Sequence, residues 1–489
     1  MIPEITTLTI AELAPRIKTG AVSPVELTEL YLQRIEKLNP LLNAYVTVTA
    51  EQARSQAKIV QTEISAGRYR GALHGIPISI KDNLATKGIR TTAGSKILSD
   101  WVPDFDATVV TRLKDAGAII LGKTNMHEWA KASNTINRFF GAIHNPWELN
   151  ATPGGSSGGS AVAVAADMCL ASIGTDSAGS VRTPASLCGI VGLKPTYGRI
   201  SQHGGVPGTG GHSINHFGVF TKTVEDCAYV LEVVAGYDPQ DPLSVDAAVP
   251  CYTDALGRRS DSLKIGMLDT YFPENMSREV RQAFDAALGT LEHLGMKLEL
   301  ISIPHMDLVP TVFACTMRFE DIAPHDRYLR TRPRDYSPRL LYNQISSLTI
   351  PEATYQRAQK VRKLIRREFE QALAKVDLIL APTMPIPAPS LEACEQGYAE
   401  VDGRRVPLQD SRGNFLTLFT IPFNLTGLPA LSVCCGFSSA GLPVGLQLIG
   451  PAFQEGRILQ AAQVYEQAAG WHKKRPEFPS TEQNSVKNF

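Results

Sequence analysis

Two short stretches of the chain hold the residue types that serine chemistry needs. TPGGSSGGSA (152–161) sets Ser156, Ser157 and Ser160 among four glycines. GTDSAGSVR (174–182) follows an apolar run and puts Ser180 on what reads as a sharp turn past the end of a strand. A serine on such a turn is placed to act as a nucleophile, because successive backbone N–H groups there converge on an oxyanion. The first stretch is not followed by the Lys-Ser/Thr pair of a P-loop, and it lacks the GxGxxG spacing of a dinucleotide fingerprint. A flexible linker suits it poorly, since the run enters a helix-forming segment (161–167) directly. Taken alone, both stretches leave a structural turn and a catalytic or anion-binding turn open.

A serine nucleophile also needs a base. No histidine lies in either stretch, and His203, His212 and His216 downstream match no zinc-binding spacing. A lysine can take the role if burial keeps it neutral, because desolvation lowers an amine's pKa by several units. Lys81, which ends the apolar run in HGIPISIKDN (74–83), is the candidate.

The elements that must position these residues read as an α/β fold. Ile76 to Ile80 is a short apolar strand; ATVVTRLKDAG (107–117) is a helix closed by Gly117, followed at once by the apolar strand AIILGKTN (118–125). Similar strands recur at 169–174, 263–267, 297–301 (after a helix over 277–295), 376–381 and 430–433. Helices alternating with all-apolar strands predict a single large α/β/α domain with a mixed, mostly parallel central sheet covered by helices on both faces. Ahead of it, Ser23-Pro24-Val25-Glu26 is a capping box that opens a helix expected to stop at Asn39-Pro40, and a second helix is expected over 51–66. Residues 1–70 thus form an N-terminal helical layer packed on a catalytic core of 71–489, one structural domain overall. Two stretches, 201–218 and 384–414, lack periodicity and are expected as long loops that shape a pocket or an interface.

Composition narrows the partners. The chain has 489 residues, 43% hydrophobic and 20% charged, enough to bury a large core. Lys plus Arg and Asp plus Glu balance at 48 each, so no net field draws nucleic acid or anionic lipid. The eight cysteines form no CxxC pair and no Cys/His cluster, as expected of small buried hydrophobes in a reducing compartment. No apolar run is long enough to cross a bilayer and the N-terminus has no secretory pattern, so a cytoplasmic location, with no membrane contact, is expected.

Five segments, HGIPISIKDN, TPGGSSGGSA, GTDSAGSVRTPASLCGIVGLKPTYGRIS, PFNLTGLPALSV and GLPVGLQLIG, occur in one order over nearly the whole chain. In these the chain resembles the amidase signature family of serine amidases. The resemblance implies the amidase signature fold and a Ser–Ser–Lys triad. Ser180 matches the nucleophile, Ser156 the bridging serine (on a cis peptide in the family), and Lys81 the general base. It also implies an oxyanion hole from the backbone N–H groups of Ser177, Ala178, Gly179 and Ser180; the family usually has glycine where Ala178 stands. The expected reaction is cleavage of a carboxylic amide through an acyl-enzyme on Ser180, releasing carboxylate and ammonia or an amine, with no cofactor and no metal. Family position puts the segment Trp129 to Ser133, including Ala130, and the 201–218 loop at the acyl pocket.

The family also includes the glutaminase component of glutamyl-tRNA(Gln) amidotransferase, its A subunit, in which an acidic residue recognises the glutamine amino group. Thr417 stands at that position here. The expectation is therefore a chain closer to the stand-alone amidases, acting on a small-molecule amide. A homodimer and a non-catalytic binding protein on the same fold both stay open.

Overall fold

The computed structural model describes residues 4–258, 260–268, 276–410 and 413–478. Its centre, among the described residues, is an 11-stranded sheet. Its strands, in chain order, are β1 (Tyr45–Val48), β2 (Pro77–Lys81), β3 (Ile119–Thr124), β4 (Ala171–Thr175), β5 (Val191–Lys194) and β6 (Phe217–Thr221). They continue with β7 (Lys264–Leu268), β8 (Lys297–Ile301), β9 (Leu378–Pro382), β10 (Ala430–Phe437) and β11 (Pro443–Ile449). The spatial order is β1-β3-β2-β4-β6-β5-β10-β11-β9-β7-β8. The sheet is mixed, as the helix–strand alternation predicts. Parallel ladders join β3, β2 and β4 on one side and β9, β7 and β8 on the other. The strands between them run antiparallel.

Strands β2, β3, β4 and β9 are buried along their whole length. Continuous apolar runs, rather than alternating ones, are what a strand between two covering layers requires. Helices Arg182–Cys188, Arg278–His293 and Glu455–Ala469 pack on β10. In the N-terminal layer, Leu27, Tyr31 and Ile35 join the same hydrophobic cluster as Ile78, Ile80 and Ile120 of the sheet.

Local structure departs from the sequence expectation in two instructive places. The helix opened by Ser23 spans Pro24–Leu42 and carries Pro40 within its last turn; left-handed Asn43 (φ 52°) ends it instead. Asn tolerates that conformation, and its N–H closes on the Asn39 carbonyl. The 384–414 stretch is not one long loop. It holds a short helix, Leu391–Gln396, and a hairpin of Tyr398–Val401 with Arg404–Pro407. Both central residues of its turn, Asp402 and Gly403, have positive φ, and Asp-Gly is the pair that such a turn selects. Residues 411 and 412 of that stretch lie outside the described residues.

Candidate active site

The first parallel ladder delivers the site. β2 ends at Lys81 and its neighbour β4 ends at Thr175, so two chain ends open at one corner of the sheet. The Lys81 side chain is fully buried. Its Nζ donates to Ser156 Oγ at 2.8 Å and to Thr175 Oγ1 at 2.8 Å. Asn83 donates to the same threonine hydroxyl (3.1 Å) and to Thr209 of the glycine-rich loop (3.1 Å). Burial takes the Lys81 pKa well below the ordinary lysine value, with the charge of Asp176 opposing the shift.

The stretch around Ser156 threads between other backbone segments. A Cβ on Gly155 would lie 2.3 Å from the Asn134 carbonyl oxygen, and one on Gly159 would lie 2.3 Å from that of Asn125. The peptide bond Gly155–Ser156 is cis, as the family resemblance implies. The next residue, Ser157, donates from Oγ to the Thr175 carbonyl (3.1 Å), tying the stretch to the end of β4. The helix it enters spans Gly158–Ala165 and is buried throughout.

Asp176 shapes the turn that carries Ser180. One carboxylate oxygen accepts the Gly179 N–H at 2.7 Å, and the other accepts the Val181 N–H at 3.1 Å. Both oxygens also meet the buried Arg182 guanidinium at 3.1 Å. Arg182 further donates to the Thr420 carbonyl, Gln447 and Asn424. Burial pushes the Asp176 pKa up. Arg182, the Asn424 hydrogen bond and Lys194 outweigh that and hold the carboxyl well below its usual range. The left-handed residue of the turn is Gly179 (φ 108°), where a Cβ would lie 2.2 Å from Thr420 Oγ1. Ala178 is not left-handed, so the alanine sits there without strain. Its carbonyl accepts from Thr420 Oγ1 at 2.6 Å.

The four backbone amides expected at the oxyanion are therefore not equivalent. That of Gly179 is committed to Asp176. Those of Ser177, Ala178 and Ser180 have no acceptor among the described residues. Ser180 lines a cavity of about 430 Å³, together with Ser177, Ala178, Ala130 to Ser133, Gly210 and Thr417. Ala130 and Thr417 thus stand at the cavity, as does one residue of the 201–218 loop. Trp129 does not: it is buried with its ring packed edge-on against His325, centroids 4.6 Å apart. The three downstream histidines go to different places. His203 meets Thr108, His212 meets Glu320, and His216 is buried beside the Ile214 carbonyl.

Thr175, Asp176, Arg182, Thr420 and Asn424 are residues of this hydrogen-bonded corner that reading the residues alone passes over. Asp176 and Arg182 flank Ser180 within GTDSAGSVR, a pair of opposite charges in an otherwise uncharged run, and that was the available signal. Thr420 and Asn424 lie more than two hundred residues on, and nothing local marks them. Among the described residues no helix is long and apolar enough to cross a membrane.

Comparison with known proteins concerns the chain as a whole. The sequence model of the family described as Amidase matches residues 26–459. The A subunit of the glutamyl-tRNA(Gln) amidotransferase from Moorella thermoacetica is 42% identical over 493 residues, 96% of this chain and 98% of that protein. The crystal structure of the corresponding protein from Thermotoga maritima superposes with a TM-score of 0.79 at 33% identity, covering 98% of this chain and all of that one. The native peptide amidase of Stenotrophomonas maltophilia superposes with a TM-score of 0.83 at 30% identity, covering 96% of this chain and 99% of that one.

These relatives correct one expectation. Thr417 pointed towards the stand-alone amidases, whereas curated relatives at 42% identity over almost the whole chain are A subunits of amidotransferases. A single pocket position weighs little against chain-wide similarity, which is set by the many residues that build the sheet and its covering helices. The chain belongs to the amidase family, enzymes that cleave amide carbon–nitrogen bonds.

Proposed function

We propose that this chain is a serine amidohydrolase that works through an acyl-enzyme on Ser180. The observation that carries the reading is a buried amine, Lys81, bonded at 2.8 Å to Ser156 beneath the cavity into which Ser180 opens. Neutral Lys81 accepts the Ser156 proton as Ser156 accepts that of Ser180, and Ser180 Oγ bonds to the amide carbonyl carbon. The free N–H groups of Ser177, Ala178 and Ser180 are available to the oxyanion; one such donor is typically worth about 3–4 kcal/mol. The lysine ammonium then returns its proton through Ser156 to the leaving nitrogen as the C–N bond breaks. Water, deprotonated by the same relay, releases the carboxylate.

Labelling with a fluorophosphonate tests the reading. The wild type takes up the probe and hydrolyses members of an amide panel, while Ser180→Ala does neither. Labelling that persists in Ser180→Ala, or a wild type inert to both, overturns it. A second reading is favoured by the relatives: the amide is that of glutamine and the chain is the glutaminase component of an amidotransferase. Ammonia release from glutamine only after the other amidotransferase components are added decides for that reading.

A further inference from the structure

A second cluster of charge lies away from the serine corner, where the helix Pro24–Leu42 meets the segment 471–478. Among the described residues, three cations gather there on one carboxylate, that of Asp167, just past the helix Gly158–Ala165. Lys222 is ion-paired with it, Arg34 Nη2 stands 3.8 Å from its Oδ2, and Arg475 Nε stands 4.0 Å from its Oδ1. The Lys222 and Asp167 side chains are 7% and 3% exposed. Arg34 also donates from Nε to the Ala166 carbonyl at 2.7 Å, and Arg475 to two carbonyls of its own segment. Even so, Arg34 Nη2 and Arg475 Nε are buried with no hydrogen-bond partner among the described residues, and Lys222 Nζ has only its contact with Asp167.

Three further carboxyls act on this cluster, and each is engaged elsewhere. Asp226 accepts the N–H groups of Ile10 and Ala11 at 3.0 Å, and Glu466 accepts that of Val224. Burial raises their pKa values to about 7 and about 8, so neither is fully charged at neutral pH. Glu12 is exposed and accepts from Thr9. Two cavities of about 10 Å³ share Lys222 and His472 in their linings, each with room for one small guest. Glu466 lines the first. The second adds Lys474 and Arg475, has no carboxylate among its described lining residues, and is walled by Trp147 and Ile190. Lys474 holds its ammonium over the Phe437 ring, 4.4 Å from the centroid, which leaves Lys222 and Arg475 as the cations of that space.

A buried cation without a counter-charge is costly. Water can satisfy the spare donors but leaves the charge uncompensated; a monatomic anion answers both, and a tetrahedral oxyanion is too large for the space. We infer that this pocket is a halide site, holding one chloride between Lys222 and Arg475. Lys222 directly follows β6, and Arg475 belongs to the segment 471–478. With Arg34 and Asp167, the ion joins four chain segments through charge: the N-terminal layer, the far end of the helix that Ser156 and Ser157 lead into, the end of β6 and the C-terminal segment. Its role is to hold these together, separate from the amide chemistry.

Two measurements on the purified full chain test the site. Crystals soaked in bromide, which replaces chloride and scatters anomalously, show one bromide within hydrogen-bond reach of Lys222 Nζ and the Arg475 guanidinium. In solution, chloride replaces gluconate, an anion too bulky to enter, at constant ionic strength. Because the halide binds the folded chain and not the unfolded one, the melting temperature rises by about 2 °C and then saturates. Arg475→Gln, at a partly exposed position, raises the half-saturating chloride concentration by about tenfold, the weight of one charge-assisted hydrogen bond. Fluorophosphonate labelling of Ser180 stays at the wild-type rate in that variant, since the serine corner lies elsewhere. Water alone in the cavity overturns the inference, as does melting that is the same in gluconate and chloride. A bromide peak without any halide-dependent melting marks an adventitious ion only and overturns it too, and so does a chloride response that Arg475→Gln leaves unmoved.

Discussion

The floor and the outer wall of the cavity hold their polar groups in opposite ways. On the floor, Lys81, Ser156, Thr175, Asp176 and Arg182 are almost wholly buried, and each is bonded to at least one other residue of the corner. On the wall, Arg318 and Arg339 have no partner among the described residues, and Tyr342 is 72% exposed. A buried polar group left unmade costs more than a typical net hydrogen bond contributes, so the floor tolerates few changes and keeps one geometry. The wall is solvated when empty and can change residue type at little cost to folding. On the proposed mechanism, the reacting atoms are held by the hydrogen-bonded floor, and the substrate meets the wall whose residue types can change.

Three substitutions can break or sharpen that contrast. Lys81→Ala has the largest expected effect, a loss of about 10²–10⁴-fold in kcat/KM, the usual weight of a positioned base. Burial lowers the Lys81 pKa from 10.5, so the working, neutral amine accumulates as pH climbs through the lowered value. Wild-type kcat/KM rises with it, and a pH–rate profile of Lys81→Ala lacks that limb. The same shift acts on stability with a definite sign. Between the folded and unfolded pKa values the unfolded chain binds the extra proton, so burying Lys81 costs stability, and the cost fades as pH approaches 10.5. A profile that keeps the limb in the variant removes Lys81 from the mechanism.

Arg182→Met comes next and acts on the floor through folding. It strips the buried Asp176 of its ion pair and leaves Gln447 and Asn424 short of a donor. Breaking one side of such a pair typically costs about 3–5 kcal/mol, read as a lower urea midpoint together with weakened Ser180 labelling. A midpoint within error of the wild type would mean the floor is not the rigid region described. Tyr342→Ala is the smallest. At an exposed wall position the expected change in stability is within about 0.5 kcal/mol, with KM moving and the labelling rate of Ser180 held. A large fall in the urea midpoint would show that the wall, too, is built for folding.

The two regions also differ in how far they can be read without a structure. The floor is spelled out in contiguous motifs: Lys81 ends an apolar strand, and Ser156 and Ser180 sit in glycine-rich turns, because strand, turn and helix signals are local. Even there, the sequence treats the amides of 177 to 180 alike, and only the fold shows Asp176 claiming that of Gly179. The departure from glycine at Ala178 likewise proves harmless only when the left-handed conformation is seen at the next residue. The hairpin at 398–407 was legible in its Asp-Gly pair but hidden within a polar run. Trp129 shows the opposite failure: a position in the right segment whose side chain turns away into a buried aromatic cluster.

By itself, then, the sequence determined the α/β class from short-range periodicity, while it was the family resemblance of motifs a few residues long that pointed to Ser156, Ser180 and Lys81. The tertiary structure alone decided the composition of the cavity wall. Arg318 and Arg339 reach the cavity of Ser180 from helices far along the chain, and whether an arginine is free depends on which carboxylates the fold brings near it. That pairing is a property of three-dimensional distance, which no local pattern of residues encodes.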